Sequence, residues 1–317
     1  MKKYIVIIII FILLAFLSRS FFAPEGAHRW QFRSIDTMKY SRDLSREKLH
    51  NASFDKEIEK QISAIAKTGA THVAIATPYD EEFIPIMRRW VLMARKYHLK
   101  VWFRGNMSGW EEWFGYPQVD RSTHTAQTEQ FILNNKDLFQ DGDIFTSCPE
   151  CENGPKVNWG DEKEVEAYRA FLITEYGVTK KAFGKIHKNV KANYYSMNGD
   201  VARIVMDRET TRALDGVVTI DHYVSSPEQL AADIKILAER SGGKVVLGEF
   251  GAPIPDINGP MSPKEQSAWL EKALGELSKV DQLEGVNYWV NKGGSTALWD
   301  ENGKARPGVK VLTEAFN

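Results

Sequence analysis

A single (β/α)8 barrel is the fold class this sequence predicts, on three observations. Short apolar, strand-like runs alternate eight times with longer segments, most of them of helical periodicity. The 317 residues suit one such barrel with its connecting loops. An open, doubly wound sheet would usually carry a Gly-rich phosphate loop after its first strand, and Ser34-Ile35-Asp36-Thr37-Met38 is nothing of the kind.

In order, residues 29–36 (RWQFRSID) form the first predicted strand. A helix over 54–68 follows from the spacing of Ile58, Ile62 and Ile65, and Gly69 closes it. Residues 71–77 give the second strand and 81–97 its helix; residues 100–104 give the third, with a helix near 124–139. The fourth strand is 143–147, followed by a long helix over 162–186. The fifth is 190–195 and the sixth 217–220, with a helix over 227–239. The seventh spans 245–248 before a helix at 263–278, and the eighth spans 285–289 before a closing helix at 309–316. No repeat, low-complexity tract or Pro/Ser linker divides the chain, so residues 26–317 are expected to be one domain.

The first 25 residues are set apart. Met1-Lys2-Lys3 precedes an almost wholly apolar run from Tyr4 to Leu17, which reads as a signal-peptide core or a short anchor. A spanning helix needs about 20 apolar residues, and Arg19 interrupts any extension here. No small-x-small cleavage site follows, which leans towards an uncleaved anchor, with residues 4–17 as a membrane tether. Both readings export the remainder of the chain.

Charge excludes one class of partner. With 41 basic and 42 acidic side chains, the net charge of -1 lacks the basic excess of a nucleic-acid binder. The two cysteines, Cys148 and Cys151, form one C-x-x-C, read as a disulfide or two free thiols. A zinc site would need further ligands nearby, and the seven histidines are scattered, which also argues against a metal-dependent barrel hydrolase. No metal or organic cofactor is suggested.

The chemistry of a barrel sits at the C-terminal ends of its strands. Those ends carry Asp36, Tyr79-Asp80, Arg104-Gly105-Asn106, Glu150 and Glu152, Tyr194-Tyr195, Asp221-His222-Tyr223, Glu249, and Trp289 with Asn291. Glu249 ends strand seven and a glutamate follows strand four, so closure of the barrel would set two carboxyls face to face. Such a pair is the machinery for breaking a glycosidic bond. The loop 105–120 adds Trp110 and Trp113, rings suited to stacking on sugar faces, and Asn193 is a further polar candidate.

The segment Val245-Val246-Leu247-Gly248-Glu249-Phe250-Gly251 resembles the seventh-strand nucleophile segment of clan A glycoside hydrolases, most of all family 5, the cellulase and mannanase group. An acidic end to strand four, His222-Tyr223 on strand six and Trp289 closing strand eight follow in the same order. The resemblance implies Glu249 as nucleophile, a strand-four glutamate as general acid/base, Tyr223 as hydrogen-bond donor to the nucleophile, and Trp289 as floor for the reacting sugar. Arg104 or His222 would hold Glu249 ionised. The family usually reads Asn-Glu-Pro at its acid; here Pro149 precedes Glu150, so Asn106, Asn153 or Asn193 would have to meet the sugar 2-hydroxyl. Counting from the strand start favours Glu150 over its rival Glu152, which lies in a turn-like Glu-Asn-Gly context.

The expected activity is therefore retaining hydrolysis of β-linked poly- or oligosaccharides by two glutamates. A transglycosylase using the same residues and a catalytically impaired carbohydrate-binding barrel are the alternatives; the missing asparagine favours the latter.

Overall fold

The computed structural model describes residues 30–317; the expected leader at 1–25 lies outside the described residues. Eight parallel strands form one curled sheet in the order β4-β3-β2-β1-β8-β7-β6-β5. They are β1 (Phe32–Asp36), β2 (His72–Ile75), β3 (Lys100–Phe103), β4 (Ile144–Phe145), β5 (Ser196–Asn198), β6 (Val217–Asp221), β7 (Lys244–Phe250) and β8 (Leu283–Tyr288). The principal helices are α1 (Phe54–Ala66), α2 (Ile84–Lys96), α3 (Arg121–Asn134), α4 (Glu162–Lys185), α5 (Gly199–Val205), α6 (Pro227–Ser241), α7 (Pro263–Leu277) and α8 (Pro307–Phe316). Strand and helix alternate round the sheet as in a (β/α)8 barrel. Among the described residues no helix is long and apolar enough to cross a membrane.

The two sheet edges meet through the fifth segment. Lys191 bridges Ile144, the Phe145 amide donates to the Lys191 carbonyl at 2.7 Å, and the Lys191 amide donates to Asp143 at 3.0 Å. The predicted fifth strand, 190–195, is thus displaced: its ladder to β6 forms only at 196–198, beyond the contact with β4. A helix at 199–205 and a further one at Arg208–Ala213 fill a stretch in which no helix is predicted. Both are under two turns long, too short for a periodicity signal, and start on the side-chain caps Asn198 and Asp207.

Helix starts are otherwise legible locally. Pro227, Pro263 and Pro307 occupy first-turn positions where a missing amide costs nothing. Ser262 and Glu265 close a capping box at the start of α7. Ile58, Ile62 and Ile65 of α1 are fully buried against the sheet.

Inside the sheet the side chains alternate, and that alternation builds the site. One apolar layer consists of Phe32, Ala74, Trp102, Ile144, Tyr194, Val217 and Val246. Its rings meet edge-on, Phe32 to Trp102 at 5.4 Å and Trp102 to Tyr194 at 5.8 Å. Two residues further along the same strands five of the seven inward positions turn polar, Ser34, Arg104, Thr146, Ser196 and Thr219, while Ala76 and Gly248 are small. Arg104 lies over the Trp102 ring at 5.2 Å. Glycine is required at 248, where a Cβ would stand 2.3 Å from the Asp221 carboxylate.

Candidate active site

Arg104 is the hub of the mouth. Fully buried, it donates from Nη2 to Asp221 at 2.9 Å, to Glu249 Oε1 at 3.1 Å and to Ser196 at 3.3 Å. Its Nη1 donates to the Gly248 carbonyl, and its Nε lies 3.9 Å from Asp36. The register shift between Ile220 and Asp221 pairs Asp221 with Glu249 across β6 and β7, which sets these two carboxyls side by side. Asp36 is fixed by the Met38 amide at 2.6 Å and by Asn287 at 3.1 Å, whose amide also reaches the Gly248 carbonyl at 2.8 Å.

Three carboxyls thus share one guanidinium. Burial pushes Asp221 up to about 7 and raises Asp36, with Arg104 opposing the rise in both. Their charges in turn hold Arg104 protonated against its own burial. Removing it as Arg104→Met would leave buried carboxylates uncompensated, at a cost of about 3–5 kcal/mol at neutral pH. The sign with pH follows from linkage: carboxyls with raised folded pKa bind protons the unfolded chain has released, so the variant's deficit should shrink as pH falls towards 5. Chemical denaturation of both proteins at two pH values checks it; an equal deficit at both would contradict this account.

Glu249 accepts a second hydrogen bond from the Tyr223 hydroxyl at 2.7 Å. Trp289 closes the same corner, its ring edge-on to Tyr223 at 6.1 Å, with Lys39 Nζ 5.4 Å from its centre. Glu150 enters from the loop after β4. Its φ of +47° is left-handed, a conformation non-glycine residues rarely adopt, and its amide donates to the Ser196 carbonyl of β5 at 2.8 Å. Cys148 and Cys151 are disulfide-bonded, enclosing Pro149 and Glu150 between them. The Glu150 carboxyl accepts from Asn153 Nδ2 at 3.1 Å. Burial first, then the charge of Glu249, pushes Glu150 up to about 7.

Glu249 is also raised, by burial and then by Asp221. Burial lifts Glu249 the further of the two, which taken alone would put the proton there. The directed donors on Glu249 oppose this. Glu249 receives a guanidinium and a phenol, whereas Glu150 receives only a neutral amide, so the shared negative charge belongs on Glu249 and the proton on Glu150. Glu152, beside Glu150, spends one oxygen on the Asn198 amide at 2.5 Å and is pushed to about 6, chiefly by burial. Glu249 is not among the groups that shift it.

Several predicted site residues lie elsewhere, three of them because of strand parity. Tyr194 points inward, so Tyr195 points out, among Glu175, Tyr176 and Thr179 of α4. Asn193, also outward, donates to the Leu214 carbonyl at 2.9 Å. Asp221 points inward, so His222 turns away to Asp233 of α6 at 2.9 Å; Arg104 alone of the two proposed partners meets Glu249. Trp110 is not an exposed stacking ring. It is 1% exposed, donates to the Cys151 carbonyl at 3.0 Å and stacks on Phe171 at 5.3 Å. Trp113, half-buried, lies under Arg42 at 4.7 Å, and Asn106 is fully buried against His124 at 2.8 Å.

Sequence reading passed over Ser196 and Asn287. Both stand at inward strand positions two residues from an apolar one, a signal visible once strand register is known. Of metal-ligand types, His124, Cys148 and Glu175 draw atoms together among the described residues. The Cys148 sulfur is spent in its disulfide and His124 is held between Glu175 and Asn106, so the trio is poorly suited to an ion.

In fold, the chain is similar to solved clan A glycoside hydrolases. The GH5_18 protein of Bifidobacterium longum subsp. infantis superposes with a TM-score of 0.65 at 15% identity, over 91% of this chain and 79% of that one. The GH5_18 protein of Streptomyces cattleya, solved with GlcNAc, gives 0.67 at 12% identity, over 91% and 80%. A fungal β-1,4-galactanase gives 0.63 at 15% identity, over 89% of this chain and 99% of that one. The sequence itself matches no protein-family profile and no curated protein.

Proposed function

We propose that this chain is a retaining glycoside hydrolase that cleaves β-linked oligo- or polysaccharides, with Glu249 as nucleophile and Glu150 as acid/base. The observation that carries the reading is the asymmetry of the two carboxyls. Glu249 is braced by hydrogen bonds from Arg104 and Tyr223, while Glu150 accepts only from the Asn153 amide, feels Arg104 without a hydrogen bond from it, and feels the charge of Glu249. A nucleophile must stay ionised and an acid must hold its proton, and these surroundings separate the two roles.

In the first step a Glu249 oxygen attacks the anomeric carbon as Glu150 gives its proton to the departing oxygen. In the second, Glu150 takes a proton from water, which displaces Glu249 and restores the starting configuration. Tyr223 aligns the nucleophile, and Trp289 offers an apolar face to the ring of the sugar. Glu152, engaged by a backbone amide, is the weaker claimant to the acid's role. Export, with residues 4–17 as tether, remains part of the proposal, and a glycan outside the cell is the substrate it implies.

The test is a panel of aryl β-glycosides and soluble β-glucans, galactans and mannans. Proton NMR of the first-formed product should show the β anomer. An α anomer appearing first would mean inversion and end the double displacement, and binding without turnover across the panel would make the barrel a carbohydrate receptor.

A further inference from the structure

Asp221 is a buried carboxyl at the mouth for which the two-step reaction has no use. It competes with the nucleophile for one atom. Arg104 Nη2 donates to Asp221 Oδ2 at 2.9 Å and to Glu249 Oε1 at 3.1 Å, and Ser196 Oγ lies at 3.3 Å as a third acceptor for its two hydrogens. The surroundings of the two carboxyls otherwise differ. Glu249 receives a donor on each oxygen, Arg104 on Oε1 and Tyr223 on Oε2. Asp221 receives one on Oδ2 only, and its Oδ1 is buried with no hydrogen-bond partner among the described residues. Gly248 makes room for that bare oxygen, since a side chain there would meet it.

A carboxylate oxygen buried without a donor is costly, and a proton on the carboxyl removes the charge that makes it so. One guanidinium balances one of two adjacent buried carboxylates, so the pair keeps a proton between them. The count of donors puts that proton on Asp221 and the charge on Glu249. Burial raises both groups, and a raised Asp221 is what this division needs.

Resting on the reading of Glu249 as nucleophile, we propose that Asp221 is a positioning residue for it, acting through Arg104. Asp221 anchors Nη2 while the Gly248 carbonyl anchors Nη1, which together fix the plane of the guanidinium. By keeping its proton, Asp221 leaves the charge of Arg104 to the nucleophile. As pH rises and Asp221 ionises, two anions draw on Nη2. The carboxylate with fewer other donors pulls Arg104 towards itself, and Glu249 loses its directed donor. The groups facing Asp221 are Arg104 from β3, Glu150 and Glu152 from the loop after β4, Tyr223 from the loop after β6, and Glu249 from β7. Those facing Glu249 are Asp221, Arg104, Tyr223, Glu150 and, from β1, Asp36.

The experiment uses the full chain, with Asp221→Asn, Asp221→Ala and Glu249→Ala beside the parent. The kcat/KM is measured across pH on dinitrophenyl β-glycosides. Dinitrophenol departs without a proton, so Glu150 imposes no basic limb on this first step. The parent should nevertheless lose activity on the alkaline side, by several-fold, as Asp221 ionises, and Asp221→Asn should lack that limb. Below the limb Asp221→Ala should lose about tenfold or more, the scale of one hydrogen bond to a charged group. Asp221→Asn keeps an oxygen for Nη2 and should recover most of that loss. An alkaline limb that is absent from the parent, or identical in the parent and Asp221→Asn, would mean a structural role only and overturn the inference. So would a parental rate in Asp221→Ala. Asp221→Asn keeps the shape of the side chain, so its profile decides the matter even where Asp221→Ala does not fold. If Glu249→Ala has parental rates, the reading of the site fails and takes this inference with it. If Glu249→Ala is inactive and Asp221→Asn retains the parental limb, the inference fails alone.

Discussion

Glu249→Ala should abolish turnover, lowering kcat/KM by about 10⁴-fold or more on every substrate the parent accepts, since no covalent intermediate can form without it. The same change should leave the protein at least as stable as the parent. Glu249 is one of three carboxyls drawn in around Arg104, and burial holds its pKa above the ordinary range. A carboxyl whose folded pKa is raised contributes stability below its unfolded pKa and loses it as pH rises through the folded one. At neutral pH its removal therefore relieves the cluster. Activity lost together with a retained or higher melting temperature is the signature of a group kept for chemistry at the expense of stability. A variant that unfolds would show instead that Glu249 serves to neutralise Arg104, and residual turnover near the parental rate would remove it from the mechanism.

The second large effect belongs to Glu150→Ala, and its size should depend on the leaving group. With a phenyl or sugar leaving group the loss should reach about 10³–10⁴-fold, the upper part of what general-acid catalysis supplies. With dinitrophenol the first step needs no proton, so the glycosyl-enzyme should still form and then linger, because no base remains to activate water. Azide, a nucleophile that needs no base, should restore turnover and yield a β-glycosyl azide. Glu152→Ala, by contrast, should show neither the leaving-group dependence nor the rescue, because its carboxyl is tied to the Asn198 amide. Rescue of Glu152→Ala in place of Glu150→Ala would exchange the two assignments.

The barrel was readable from the sequence because its signals are local. Each strand is a short apolar run, and each long helix carries its own period, its proline or its cap, as at Ile58-Ile62-Ile65 and at Ser262-Pro263-Glu265. The exceptions are where locality fails. Segment 190–195 looks like a strand, yet its pairing to β6 waits until Ser196, and α5 is too short to leave a period. Among site residues, those carried by a recognisable segment, Glu249 and Tyr223, meet at the mouth. Tyr195 and Asn193, chosen only for lying near a strand end, turned out to face the helices, and so did His222, although it stands in the same recognised step as Tyr223. A one-residue change of parity moves a side chain from the mouth to the outer layer, and apolar runs buried on both faces do not reveal parity.

By itself, then, the sequence determined the eightfold alternation, the strand ends at which polar groups collect, and a glutamate at each of two such ends. Tertiary structure alone decided which polar groups share a chamber. Arg104, Asp221 and Glu249 are brought together by strand register, and Asn153 meets Glu150 in a loop whose Cys151 carbonyl is pinned by Trp110. Pattern along a chain records which face a residue prefers, while proximity across a closed sheet depends on how remote strands are offset, and no local preference encodes that offset.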